Sequence, residues 1–222
     1  LLGFSAGLPI LLVFGQLSFW LRDAGVDRTT IGFISWVGFA YSLKFLWAPV
    51  VDGLPVPVLT RRFGRRRSWL LLAQTGVIAS LITMALSNPV ESLTPLVLGA
   101  LATAFFSATQ DIVVDAYRIE CASQERQAAL AATYMTGDRL GMIVAGAGAL
   151  YIAQAFDPDE AVYHYASWRI SYLFMAAAML VGVVTTLMVP EPPVSASSSA
   201  LAACSFSIFL EVITTLAPSS RK

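Results

Sequence analysis

The sequence predicts an all-α, polytopic membrane protein of six transmembrane helices. Of its 222 residues, 57% are apolar and 13% charged, with a mean hydropathy of +0.71. A soluble domain carries about one quarter charged residues, because its surface must be wetted. Six stretches are nearly free of charge and reach the roughly 20 residues that a helix rising ~1.5 Å per residue needs to cross a bilayer. The remaining charges gather in the connectors between them. Buried helices of a large soluble protein would instead show amphipathic stripes and charged outer faces, which these stretches lack.

The first stretch, Leu1–Leu21, carries no charge. Thr29–Val51 carries only Lys44, and Ser68–Val90 none. Ser92–Ala116 is interrupted by Asp111 and Asp115, Gln127–Phe156 by Asp138 and Arg139, and Ile170–Pro190 by nothing. Residues 1–190 thus form one six-helix domain. After it, Glu191-Pro192-Pro193 stops the last helix, Ser195–Ala200 is a flexible Ser/Ala tract, and 191–222 reads as a linker or aberrant tail. No basic n-region or small-residue cleavage site marks a signal peptide. The opening Leu1-Leu2, without Met, predicts that a few residues precede it.

The connectors set the orientation. Arg61, Arg62, Arg65, Arg66 and Arg67 lie between the second and third stretches, and Arg118 and Arg126 between the fourth and fifth. On the other side, Arg22 and Arg28 are balanced by Asp23 and Asp27, and 157–169 is mostly acidic. The positive-inside rule then puts the arginine-rich connectors and both termini in the cytoplasm. The formal net charge of zero gives no electrostatic case for nucleic acid. Cys121 and Cys204 have neither disulfide nor metal-ligand spacing, and the single His164 sits in a polar connector. With no His-based metal motif, no Gly-x-Ser-x-Gly and no paired carboxylates in a cleft, the sequence offers no catalytic residues, metal site or cofactor site.

The basic connector ends one helix at Asp52 and opens the next at Gly64-Arg65-Arg66-Arg67. Gly64 permits a tight turn, and the arginines can engage Asp52 and a carboxylate such as Glu120 at the end of the fourth helix. This arrangement resembles the motif between helices two and three of the major facilitator superfamily. Further strings narrow the likeness: Gly3-Phe4-Ser5-Ala6-Gly7-Leu8-Pro9, Ser18-Phe19-Trp20-Leu21-Arg22, Lys44-Phe45-Leu46-Trp47-Ala48-Pro49, Gly64-Arg65-Arg66-Arg67-Ser68-Trp69, and the run from Ala108 through Gln110, Asp111 and Asp115 to Arg118. Over residues 1–193 they resemble AmpG-type muropeptide permeases of Gram-negative bacteria.

That resemblance implies an inner-membrane, proton-driven importer of N-acetylglucosaminyl-1,6-anhydro-N-acetylmuramyl peptides. Its flux would serve peptidoglycan recycling and feed β-lactamase induction. It also implies two six-helix bundles, of which this chain carries the first, so its partners are lipid, cargo, protons and a C-terminal bundle. Two other readings stay open: a facilitator of another cargo, such as acetyl-CoA, and a fragment that inserts without transporting.

Charge inside a membrane costs about 2.5–3.5 kcal/mol on insertion scales and faces protein or a watery cavity. Lys44, Asp111, Asp138 and Arg139 fall roughly 8–15 Å inside the cytoplasmic end at ~1.5 Å per residue, and are expected to form one polar cluster. Gln110 and Asp111 share a helix face with Val114, Asp115 and Arg118. They are the candidates for substrate or proton contact, with a static Lys44–Asp111 ion pair as the alternative role. Asp115 and Arg118 lie nearer the interface and suit a gate. On the first helix Ser5 and Gln16 offer hydrogen bonds suited to sugar hydroxyls. Gly137, Gly141 and Ala145 form a small-residue stripe that lets two helices approach.

Overall fold

The computed structural model describes residues 1–34, 36–121, 124–158 and 162–192. The Ser/Ala-rich tail 194–222, with Cys204, lies outside the described residues. The elements are helical throughout, with no strand among the described residues. They are α1 (Leu2–Asp23), α2 (Arg28–Ile34), α3 (Val37–Ser42), α4 (Ala48–Gly53), α5 (Leu59–Phe63), α6 (Arg65–Ala85), α7 (Leu93–Cys121), α8 (Gln124–Ile143), α9 (Ala149–Ala155) and α10 (Tyr165–Met188). Apart from the short connector helix α5, those among the described residues fall into six helical stretches: α1, α2 to α4, α6, α7, α8 with α9, and α10.

Four of these, α1, α6, α7 and α10, are long and apolar enough to cross a membrane. The other two depart from the continuous spans expected. Within 29–51 the chain is helical in pieces: α3 runs into a 3-10 turn at Leu43–Leu46, and α4 restarts with Pro49 in its first turn. Proline has no N–H to donate one turn back and its ring crowds that turn, so it suits the first turn of a helix, where α4 places it. The fifth stretch is helical from Gln124 to Ala155 through a π turn at Val144–Gly148. Its first half carries Glu125, Arg126, Asp138 and Arg139, which dilute its apolar character.

The bundle is organised around α1, which packs on α7, α8 and α10, while α6 runs along α7. Leu8, Leu12, Trp20, Leu81, Met84, Leu96 and Tyr172 fill the core and are fully buried. Where α1 crosses α8, both helices present glycine. A Cβ on Gly3 or Gly7 would strike the carbonyl oxygens of Tyr134 and Asp138, and one on Gly141 that of Phe4. The stripe expected on the fifth helix thus meets a second one, Gly3 and Gly7, on the first.

A second π turn, Leu12–Gln16, interrupts α1 beside the one in the fifth stretch. A π turn widens the helix and displaces main-chain carbonyls from their usual i+4 donors. Side chains from other helices serve carbonyls in or beside both turns. Gln16 Nε2 donates to Gly146 O (3.0 Å), Tyr172 Oη to Leu12 O (3.1 Å) and Ser171 Oγ to Ala149 O (2.7 Å). Buried main-chain groups without partners are costly, so these contacts hold both irregular turns in place.

Candidate functional site

Asp111 is the centre of the polar site. It lies on α7, is 8% exposed, and faces the broken second stretch and α8. The Tyr41 hydroxyl donates to its Oδ2 and that of Tyr134 to its Oδ1 (3.5 Å). Lys44 Nζ lies 4.0 Å from the same Oδ2 and 5.2 Å from the centre of the Tyr41 ring. Lys44 can reach inward because the chain tightens into the 3-10 turn at that point. The Lys44 side chain is 37% exposed and that of Asp111 11%, so the pair sits at the edge of the packed core.

The four intramembrane charges are brought together in part, with Asp138 within electrostatic reach of Asp111 and Tyr134. Lys44 and Asp111 pair. Asp138 has its main chain against Gly7 of α1, while Arg139 directs Nη1 to the Met142 sulfur, 3.4 Å away. Gln110 and Asp111 point in different directions, since adjacent residues on a helix are about 100° apart. Gln110 is fully buried and its Nε2 donates to Ser5 Oγ (3.1 Å). Ser5 is fully buried as well, and Gln16 is 3% exposed with its amide on Gly146. All three lie inside the packed bundle. Nearby Thr186 donates to Gln74 Oε1 (3.0 Å), which extends a buried polar seam across α1, α6, α7 and α10.

The arginine-bearing end forms a second centre. Arg66 Nη1 lies 2.6 Å from Asp52 Oδ1 and its Nη2 2.6 Å from Glu120 Oε1. Arg65 Nη1 donates to Asp52 O (2.9 Å), and its Nη2 is 3.9 Å from Glu120. Glu191 also belongs here. Its two oxygens accept the main-chain N–H of Arg66 (2.8 Å) and Arg67 (3.1 Å), so a carboxylate sits on the N-terminus of α6, where the helix dipole favours negative charge. Arg67 answers at the other helix: Nε donates to Thr186 O (3.0 Å) and Nη2 to Leu187 O (2.7 Å), near the C-terminus of α10. Gly64, at φ +87°, lets the chain turn under Glu191, where a Cβ would collide with that carboxylate. Asp115 pairs with Arg118 at 3.1 Å, and Arg118 lies 5.2 Å over the Tyr134 ring. That links this end to the Asp111 site.

Sequence reasoning missed Tyr134 and the capping role of Glu191. Tyr134 lies four residues before Asp138 on the same helix face, a spacing that could have marked it. Glu191 carries no such signal, because its partners are over 120 residues away.

Several known proteins are similar to this chain. The Major Facilitator Superfamily profile matches residues 1–218. The "Anhydromuropeptide permease" of Escherichia coli K12 is 38% identical over 192 residues, covering 86% of this chain and 36% of that protein. The "Putative transporter AmpG 4" of Rickettsia felis is 37% identical over 191 residues, 86% of this chain and 44% of that protein. The chain therefore spans less than half the length of these relatives. The inward-open structure of the xylose transporter XylE from E. coli superposes with a TM-score of 0.65 at 14% identity, covering 100% of this chain and 55% of that one. That likeness concerns the fold alone.

Proposed function

This chain belongs to the major facilitator superfamily, and from that premise we propose that it is the N-terminal six-helix bundle of a proton-coupled importer of anhydromuropeptides in a bacterial inner membrane. Residues 1–190 make up the bundle, with 191–222 a linker or aberrant tail. The cargo reading is supported by 38% identity over 192 residues to a relative whose name is anhydromuropeptide permease. The concentration of Arg61 to Arg67 at one end supports placing that end, with both termini, in the cytoplasm.

The observation that carries the mechanism is the Asp111 site. When ionised, the Asp111 carboxylate attracts Lys44 and accepts the Tyr41 and Tyr134 hydroxyls. When it takes up a proton, its attraction for Lys44 falls away and the partly exposed ammonium is released. An anionic cargo such as a muropeptide then finds an ammonium with which to pair. Protonation and cargo binding thus favour one another, which is what symport requires.

The test is uptake of labelled anhydromuropeptide by cells lacking their own permease. The cells would express this chain with a C-terminal bundle from a related permease. Uptake abolished by a protonophore supports the reading. Absence of uptake despite proven insertion overturns the cargo. With Asp111→Asn, accumulation should be lost; full protonophore-sensitive uptake by that variant would exclude Asp111 as the coupling carboxylate.

A further inference from the structure

At the end of the bundle opposite the arginine loop, two cavities meet. The larger, about 610 Å³, lies among the ends of α1, α9 and α10, and Phe19, Arg22, Asp23, Gln154, Asp157 and Trp168 line it. The smaller, about 270 Å³, lies between α1 and α2 and is lined by Ser18, Arg28 and the same Phe19 and Arg22. The groove therefore has two poles. Asp23 and Asp157 line the larger cavity and Arg28 the smaller, while Arg22 and the half-exposed Phe19 ring line both and join them.

The acidic pole is built on the fold rather than on loose surface side chains. Trp168 Nε1 donates to Asp23 Oδ2 (2.7 Å), and the Trp168 ring stacks on Trp20 at 6.0 Å with the planes 8° apart. Trp20 is fully buried and donates to Tyr163 Oη (3.1 Å). His164 Nε2 lies 4.0 Å from Asp157 Oδ1 at the foot of α10. The aromatic stack fixes where the Asp23 carboxylate sits, and the end of α9 brings Asp157 to the same cavity.

Carboxylates select an ammonium, and paired guanidinium groups select a carboxylate or phosphate. A groove with both poles and an aromatic ring matches a zwitterion with some apolar body. We propose that this groove binds the zwitterionic peptide portion of the cargo before translocation, its ammonium at Asp23 and Asp157 and its carboxylate at Arg22 and Arg28. This rests on the muropeptide-import reading and adds a site outside the Asp111 centre. A zwitterionic lipid headgroup presents the same pair of charges, and the test separates the two sources.

The experiment compares two labelled cargoes in the completed transporter. One carries a tripeptide stem ending in diaminopimelate, with a free ammonium and carboxylates. The other is the peptide-free anhydro-disaccharide, which has a carboxylate but no ammonium. Asp157→Asn and, independently, Arg28→Gln on the exposed start of α2 are assayed at matched membrane levels. Each should raise KM for the peptide-bearing cargo about tenfold, the scale of one charge-assisted hydrogen bond, and leave kcat unchanged, while Asp157→Asn should leave uptake of the disaccharide, which has no ammonium, unchanged. Equal losses for both cargoes with Asp157→Asn would make the groove a structural element, and no change for either would leave it to lipid; both overturn the proposal. If the unaltered transporter takes up neither cargo, the muropeptide reading itself fails and this site loses its ligand with it.

Discussion

Gly141 lies so close to the main chain of Phe4 that a Cβ would collide with the Phe4 carbonyl oxygen. The same holds for Gly7 against the carbonyl of Asp138, so α1 and α8 touch backbone to backbone. Helices in lipid gain little from the hydrophobic effect and depend on such close packing.

Larger side chains at this crossing must push the helices apart. Gly7→Val or Gly141→Val should destabilise the folded protein by about 1–3 kcal/mol, the usual cost of overpacking. A lowered thermal midpoint in detergent would register it. Gly32→Ala, at a position with open space for a Cβ, should leave that midpoint nearly unchanged.

Arg66 joins two carboxylates from different helices, and its side chain is 6% exposed. Removing one partner of a buried pair typically costs about 3–5 kcal/mol, because the other charge is left uncompensated. Arg66→Met should therefore be severely destabilising. Arg66→Met combined with Glu120→Gln should recover part of the loss, a non-additivity that a double-mutant cycle of thermal or denaturant stability would detect.

Glu191 caps the main chain of α6, and Gly64 supplies the left-handed turn beneath it. Glu191→Ala should cost about 0.5–2 kcal/mol, the range of lost helix caps. Gly64→Ala adds both strain at φ +87° and a clash with the same carboxylate. Faster amide hydrogen exchange at Arg66 and Arg67 would mark the fraying of this helix start.

Asp27 opens α2, outside the membrane-spanning segments. The Thr30 hydroxyl and main-chain N–H both donate to its carboxylate, at 2.6 and 2.9 Å. These bonds hold its pKa below the ordinary 3.8. A depressed folded pKa stabilises fully above the unfolded value, and the gain is lost as pH falls through the folded one. Amide protection at Thr30 should hold down to about pH 4 and fall below it. Asp27→Asn should remove that pH dependence.

The sequence by itself determined the all-α membrane architecture, the order of its apolar stretches and the basic end. These follow from hydrophobic length and charge spacing, which are properties of short runs of chain. The break in the second stretch was also written locally, in Pro49, but apolar length alone hid it. Tertiary structure decided which polar groups meet. Gln110 and Asp111 are adjacent in sequence, yet one faces Ser5 in the core and the other faces Tyr41 and Lys44 at the core's edge. Glu191 reaches the start of α6 across more than 120 residues. Such pairings are set by how helices rotate and cross, and the crossing of α1 on α8 is fixed by glycines that let two backbones touch. No local pattern carries that information, because each partner looks ordinary until the other is beside it.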